Sequence, residues 1–195
     1  MTQTVSPGLA QRERIEVRLG GFGGQGIILA GYILGRAATV HAGRNAVMSQ
    51  SYGPESRGGA CLAEVVIADG EIAYPRVTSP DVVAVLSQPA CDQHAADRPP
   101  GSLLIVDSDL VKLNGKSGPE RLVLEAPATR LAEEAGRRII ANIVLLGFIC
   151  GATNVVDVTA IRDAVAASVP RGTESFNLSA VETGYEYARE LLARV

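Results

Sequence analysis

The chain has 195 residues, 47% of them apolar and 20% charged, with a formal net charge of −3. That length fits one domain with a sizeable core. The balance leaves no basic field to attract nucleic acid, and an aromatic share of 4% without Trp offers no platform on which bases stack.

Residues 1–14 are polar, with Arg12 and Arg14 but no apolar stretch like that of a signal peptide, and are expected to be a disordered lead-in to a single domain over 15–195. Residues 15–19, Ile-Glu-Val-Arg-Leu, predict a strand. It runs into the glycine-rich stretch Gly20-Gly21-Phe22-Gly23-Gly24-Gln25-Gly26. Apolar residues then recur at Ile27, Ala30, Leu34, Ala37 and Ala38, so a helix is expected over about 25–42. Gly31 and Gly35, four apart within it, predict a flat face for close packing, and Gly43 predicts its end.

A strand over 45–49 leads into 50–59, Gln-Ser-Tyr-Gly-Pro-Glu-Ser-Arg-Gly-Gly, a stretch dense in turn formers with neither helical nor strand period. It reads either as a loop pinned by an Arg–Glu pair or as one that faces an interface or ligand. Residues 61–68 predict a strand, Asp69-Gly70 a hairpin turn, and 71–74 an antiparallel return ended by Pro75. The continuous apolar run 81–86 suits a strand buried on both faces. Ser87-Gln88-Pro89 opens a helix to about residue 96, and 102–106 predicts the next buried strand. Asp107 and Asp109 close that strand, and their pattern fits local turn capping better than a ligand site. A polar loop, a short strand over 121–125 and a helix from Pro127 to near Gly136 follow.

The most apolar run, 139–151, is too short to span a bilayer and contains Asn142, so it predicts a buried helix and no membrane association. Amphipathic patterns over 154–169 and 174–194 complete a helical C-terminal third. Together these elements predict an α/β fold, a three-layer Rossmann-like sandwich whose mostly parallel sheet includes an antiparallel hairpin. Cys61, Cys91 and Cys150 are widely spaced, form no C-x-x-C pair and fit a reducing, cytoplasmic setting.

Gly21, Gly23 and Gly26 fall on the G-x-G-x-x-G spacing between the first strand and helix. In that pattern the glycines allow a tight turn and close ligand approach, and the new helix offers free N–H groups to an anion. A dinucleotide site also requires an acid about 20 residues further on. Residues 41–49 hold none, although Arg44 is placed to meet a 2′-phosphate. A free-standing NADP-binding Rossmann oxidoreductase or sensor therefore stays open, as does a structural chain with an empty turn. There is no P-loop and no G-x-S-x-G elbow. His41 reads as a helix-end cation or surface residue, and His94 lacks the companions a metal site needs. No catalytic constellation and no metal site are expected, which makes the chain a binding or structural partner within a larger catalyst.

The pairing of Gly21-Phe-Gly-Gly-Gln25-Gly26 with Tyr52-Gly-Pro-Glu-Ser-Arg-Gly-Gly59 resembles the gamma subunit of the 2-oxoacid:ferredoxin oxidoreductases. The segments Ile72-Ala-Tyr-Pro75 and Phe176-Asn177-Leu178 are similar to that family too, and the resemblance spans 15–192. The Gly-Pro-Glu-x-Arg-Gly-Gly form is most similar to subunits acting on 2-oxoglutarate or branched-chain 2-oxoacids, with 2-oxoglutarate the leading substrate. The resemblance implies a complex that oxidatively decarboxylates a 2-oxoacid to an acyl-CoA, using thiamine diphosphate with Mg2+ on alpha and beta subunits. Iron–sulfur clusters on other chains, including a ferredoxin-like delta subunit, carry electrons to ferredoxin. It also implies roles for residues of this chain. Gly23, Gly24, Gln25 and Gly26 form an anion-tolerant turn facing a coenzyme A phosphate or a partner loop. Ser51, Tyr52, Glu55 and Arg57 order a loop at the alpha subunit or the active-site mouth.

Overall fold

The computed structural model describes residues 9–53, 59–113 and 122–194. Alternation on the first strand, Arg14–Phe22 (β1), buries Ile15, Val17 and Leu19 on one face. The strand runs on past 19 through Gly20 and Gly21, where neighbours close in: a Cβ on Gly21 would lie 2.6 Å from Gln25 Oε1. Helix Ile27–Arg36 (α1) continues as a π-helical turn, Ala37–His41. Of its two internal glycines, Gly31 carries the close packing, since a Cβ there would sit 2.7 Å from Ala63 Cβ, while one on Gly35 would meet an ordinary contact at 3.9 Å.

The edge strand Asn45–Tyr52 (β2) takes three residues from the expected loop, and Ala60–Ala68 (β3) returns beside it. Val82–Val85 (β4) leads to Gln88–His94 (α2), whose first turn is capped by Ser87 Oγ accepting from Ala90 N. Leu103–Asp107 (β5), Val123–Ala126 (β6) and Ala128–Glu134 (α3) follow. Ala141–Thr153 (α4), Val158–Ala166 (α5) and Glu174–Ala193 (α6) complete the chain. Asp157 caps α5 by accepting from Thr159 N at 2.7 Å.

The six strands order as β2-β3-β1-β4-β5-β6. β1, β4, β5 and β6 pair in parallel, whereas β3 is antiparallel to both β1 and β2. Two layers of helices flank the sheet. One face packs Val17, Leu19, Val65, Ile105 and their neighbours against α1, α3, α4, α5 and α6. The other buries Val83, Val85, Leu104 and Val106 under α2. All thirteen residues of α4 are buried, as a helix that is apolar on nearly every side requires. No helix of the described residues is long and apolar enough to cross a membrane.

The antiparallel arm differs from the expected hairpin. No strand forms over 71–74, and Asp69-Gly70 is a bend that leaves the sheet. Both edges of β3 are already filled, by β1 and β2, so no edge remains for a return strand. Instead residues 74–81 cross the charged face of β1. Glu16 accepts from the N–H groups of Thr78 at 2.7 Å and Ser79 at 2.8 Å. Arg14 donates to the Tyr74 carbonyl at 3.1 Å, Arg18 to that of Val77 at 3.3 Å, and Asp81 accepts from Glu16 N at 2.8 Å. Four charged side chains thus replace a ladder of strand hydrogen bonds.

Burial pushes the Glu16 carboxyl up, but the bonds from Ser79, Arg14 and Thr78 together hold it below the ordinary range. The unfolded chain then binds this proton more readily than the folded one. The stabilisation is complete above the ordinary glutamate pKa and is lost as pH falls through the lower folded value. Glu16→Gln keeps an acceptor but removes the charge, and is expected to cost about 1–2 kcal/mol at about pH 7. Urea unfolding should show the gap to wild type closing as the pH is lowered below about 4; a gap constant with pH rules this account out.

Residues 9–14, assigned by pattern to the lead-in, are built into the domain. Leu9 is 2% exposed and joins the core, Arg12 pairs with Asp81, and Arg44 donates to the Arg12 carbonyl at 2.6 Å. Residues 1–8 lie outside the described residues.

Candidate functional site

The helix after β1 packs on one face of the sheet and the helix after β4 on the other. The carboxyl ends of β1 and β4 therefore flank the point where open α/β sheets form a ligand crevice. Gln25 bridges those ends. Its Oε1 accepts from Phe22 N at 2.6 Å and its Nε2 donates to the Leu86 carbonyl at 2.8 Å. This side chain points down into the sheet and so shapes the turn from beneath. Gly24 and Gly26 hold φ of 96° and 72°, values that side chains resist. Asn142 at the start of α4 donates to the Gly26 carbonyl at 3.0 Å, and a Cβ on Gly26 would fall 2.4 Å from its Nδ2. Above Gly24 there is open space within 4 Å of where a Cβ would be.

That open side faces a cleft of about 490 Å³. Its walls are mostly apolar, with Ile27, Leu29, Ile139, Ile143, Val169 and Phe176 beside Arg137, Asn142, Thr173 and Asn177. The Arg137 guanidinium lies 5.2 Å from the centre of the Phe176 ring, a cation held over an aromatic face. Asn177 is fixed by donating to the Thr173 carbonyl at 2.9 Å. A second hollow of about 320 Å³ lies across the turn, between Gly24, Gln25, Leu86, Thr129 and Arg138. The glycine turn is thus a ridge between two hollows, each with one arginine. Such a surface suits an elongated ligand with an anionic part and an apolar part.

Among the described residues, the thiol, the imidazole and the carboxylate near it are each tied up by burial or hydrogen bonds. Burial pushes the Cys61 thiol up, against the weaker effect of the Ile28 N–H donated to it. Burial, then Arg18, lowers the His94 imidazole and keeps it neutral, and His94 faces the other side of the sheet. Asp107 is fully buried, accepting from Asp109 N at 2.9 Å, Thr129 N at 2.8 Å and Thr129 Oγ1 at 2.7 Å. This is the capping role its position suggests. Among the described residues no three His, Cys, Asp or Glu side chains gather as metal ligands.

Of the residues singled out by motif, Gly23, Gly24, Gly26 and Tyr52 line the one cleft. Gln25 lines the second hollow, and Ser51 opens instead toward Gln93 and His94 on the opposite face. Glu55 and Arg57 lie outside the described residues. His41 ends the π-helical turn, 3.8 Å from Asp163. Arg137, Thr173 and Phe176 had no pattern to mark them as site residues. Asn142 carried a signal, a lone amide in an apolar run, that points to a buried backbone partner. Arg44 is taken up by Asp69 at 2.7 Å, at the end of β2 remote from the glycine turn. The antiparallel β3 also occupies the place beside β1 where a dinucleotide fold puts its second parallel strand.

A mixed α/β sheet with a ligand-sized cleft over a glycine turn defines a ligand-binding surface at the carboxyl ends of the parallel strands. The chain belongs to the pyruvate ferredoxin/flavodoxin oxidoreductase family, whose model matches residues 16–187. It is 49% identical over 179 residues to the 2-oxoglutarate synthase subunit KorC of Methanocaldococcus jannaschii, covering 91% of this chain and 96% of that one. It is 35% identical over 181 residues to the ketoisovalerate oxidoreductase subunit VorA of Methanothermobacter thermautotrophicus, covering 90% of this chain but 37% of that longer one. Among solved structures, the gamma subunit of a keto/oxoacid ferredoxin oxidoreductase from Geobacter sulfurreducens matches with a TM-score of 0.81 and 40% identity, over 91% of this chain and 97% of that one.

Proposed function

We propose that this chain is the gamma subunit of a cytoplasmic 2-oxoglutarate synthase, a 2-oxoacid:ferredoxin oxidoreductase. The complex converts 2-oxoglutarate and coenzyme A to succinyl-CoA and CO2 while reducing ferredoxin, or runs in reverse. The observation that carries the reading is 49% identity along nearly the whole of KorC. Thiamine diphosphate with Mg2+ belongs to the alpha and beta subunits, and the iron–sulfur clusters to other chains such as a ferredoxin-like delta subunit. The gamma chain contributes binding surface. Copurification from its native host tests this directly: large thiamine-binding chains are expected with it, and a chain that runs alone and binds NADP(H) tightly overturns the assignment.

The turn Gly23, Gly24, Gln25, Gly26 is the place where coenzyme A fits this chain. Gly24 leaves room for a phosphate beside the start of α1, and Arg137 supplies a cation on the cleft wall. The role proposed for Ser51, Tyr52, Glu55 and Arg57 is to order a loop that meets the alpha subunit or the active-site mouth; of these, Tyr52 lines the same cleft. Gly24→Val places a β-branched side chain at a φ of 96° and fills the space for the phosphate. Coenzyme A affinity of the assembled complex is expected to fall about tenfold or more, equivalent to about 1.4 kcal/mol. Calorimetric titration reads this, and unchanged affinity in an intact complex removes the turn from the binding site. Arg57→Ala should weaken assembly, turnover or coenzyme A affinity; if none of the three moves, the loop has no such role.

A further inference from the structure

We propose that the outward stripe of α1, continuous with the mouth of the cleft, is the seat of the large chain that accompanies this subunit. This rests on the gamma-subunit reading above and says where on the chain that assembly occurs.

On an ordinary surface helix the outward positions are charged or polar. From residue 27 to 41 this chain has Arg36 and His41 but no acid, and outward positions carry Leu29, Tyr32 and Val40. Tyr32 is 49% exposed and Val40 64%. Beside them runs β2, one edge strand of the sheet, and a hollow of about 460 Å³ opens between Tyr32, Gly35, Val40, Ala46 and Met48, with Arg36 and Thr39 at its side. Leu29 joins this stripe to the cleft, whose mouth presents Phe22, Tyr52 and Ile139. Tyr52 is 64% exposed and Ile139 72%. Among the described residues, the other exposed large apolar side chains are Tyr74 and Leu122. Scattered apolar residues are normal on any surface, but a connected run of them marks a contact.

The comparisons name the occupant. In VorA this module makes up 37% of a longer polypeptide, so it is covalently tied to the chain that forms the remainder. In KorC the same module makes up 96% of the chain, so in that relative the neighbour is a separate chain. Permanent interfaces of this kind are more apolar than ordinary surface. An eight-residue edge strand such as β2 is also safest when covered. The partner is therefore the large chain equivalent to the rest of the fused relative, docking an apolar surface on α1 and β2.

The test coexpresses this chain with affinity-tagged large chains of its complex. Tyr32→Glu with Val40→Glu, both at exposed positions, should reduce the amount retained at least about tenfold. Tyr74→Glu, on the segment crossing the opposite face of the sheet, should be retained like wild type. Circular dichroism and a melting curve of the isolated double variant check that it folds. If it does not, hydrogen exchange on the wild type decides: amides over 28–40 gain protection on complex formation if the surface is right and stay unchanged if it is wrong. Full retention of a folded double variant overturns the proposal. So does a wild-type chain that is dimeric alone and is made monomeric by the two substitutions without loss of retention, since the occupant is then a second copy. If wild type itself fails to copurify with large chains, the gamma-subunit reading falls, and that outcome is distinct from the others.

Discussion

Gly184→Ala, the smallest possible addition, is expected to remove a large share of the stability of this domain. Helices α4 and α6 cross with their backbones in contact. A Cβ on Gly184 would lie 2.0 Å from the Val144 carbonyl oxygen, and one on Gly147 would lie 2.0 Å from that of Val181. Overpacking a core costs about 1–3 kcal/mol when side chains can yield. Here the obstacle is main chain on a fully buried helix, so the two helices must separate. Separation opens the packing of Phe148, Ala180, Val181 and Ala188 that joins them to the core. The expected cost is about 4 kcal/mol, a large share of the roughly 5–15 kcal/mol that holds a domain together. Chemical denaturation of the purified variant reads it, and a midpoint near that of wild type means the helices can move apart at little cost. Gly147→Ala should behave alike. Combining the two should cost less than the sum, because both strain one crossing.

Gln25→Glu is expected to cost about 2–3 kcal/mol at about pH 7 although the two side chains have nearly the same shape. The oxygen accepting from Phe22 N is retained. The amide nitrogen that donates to the Leu86 carbonyl becomes a carboxylate oxygen facing another oxygen, at a residue 1% exposed. The neutral acid can donate where the carboxylate cannot, so the folded state raises the pKa of the introduced carboxyl. With a raised folded pKa the penalty is present at high pH and relieved as pH falls through that value. Urea unfolding at about pH 7 and about pH 5 should show the variant closing on wild type in the acid. A difference that does not change with pH shows that Gln25 does not bridge β1 to β4. Because Gln25 braces the turn from below, the variant should also weaken coenzyme A binding at neutral pH in step with the lost stability.

Much of the architecture was written in local pattern. The continuous apolar runs of β4 and β5 and the predominantly apolar α4 each state that they are buried on all sides. Those statements require nothing but the sequence and a helical or strand period. The punctuation was local too: Ser87 and Asp157 cap helices, and Asp107 caps its own turn. The glycine spacing placed a tight turn at 23–26, and the lack of an acid over 41–49 argued against a dinucleotide.

What pattern could not supply was partner choice between distant segments. Asp69-Gly70 has the composition of a hairpin turn, and the chain there still leaves the sheet, because β1 and β2 already occupy both edges of β3. Whether an edge is free is a property of the assembled sheet and of no single stretch. Nor does the pattern of β1 say what covers its charges: Glu16 is 5% exposed, beneath a segment that its own hydrogen bonds hold down.

By itself, then, the sequence determined the fold class, the buried strands and helices and the glycine turn, since each depends on residues close along the chain. The tertiary structure alone decided that β3 separates β1 from β2, that α4 and α6 touch through Gly147 and Gly184, and that Arg137, Asn142 and Phe176 roof the turn. Those outcomes rest on contacts between residues far apart in sequence, where packing and hydrogen-bond satisfaction across the whole domain choose among pairings that local propensity leaves equal.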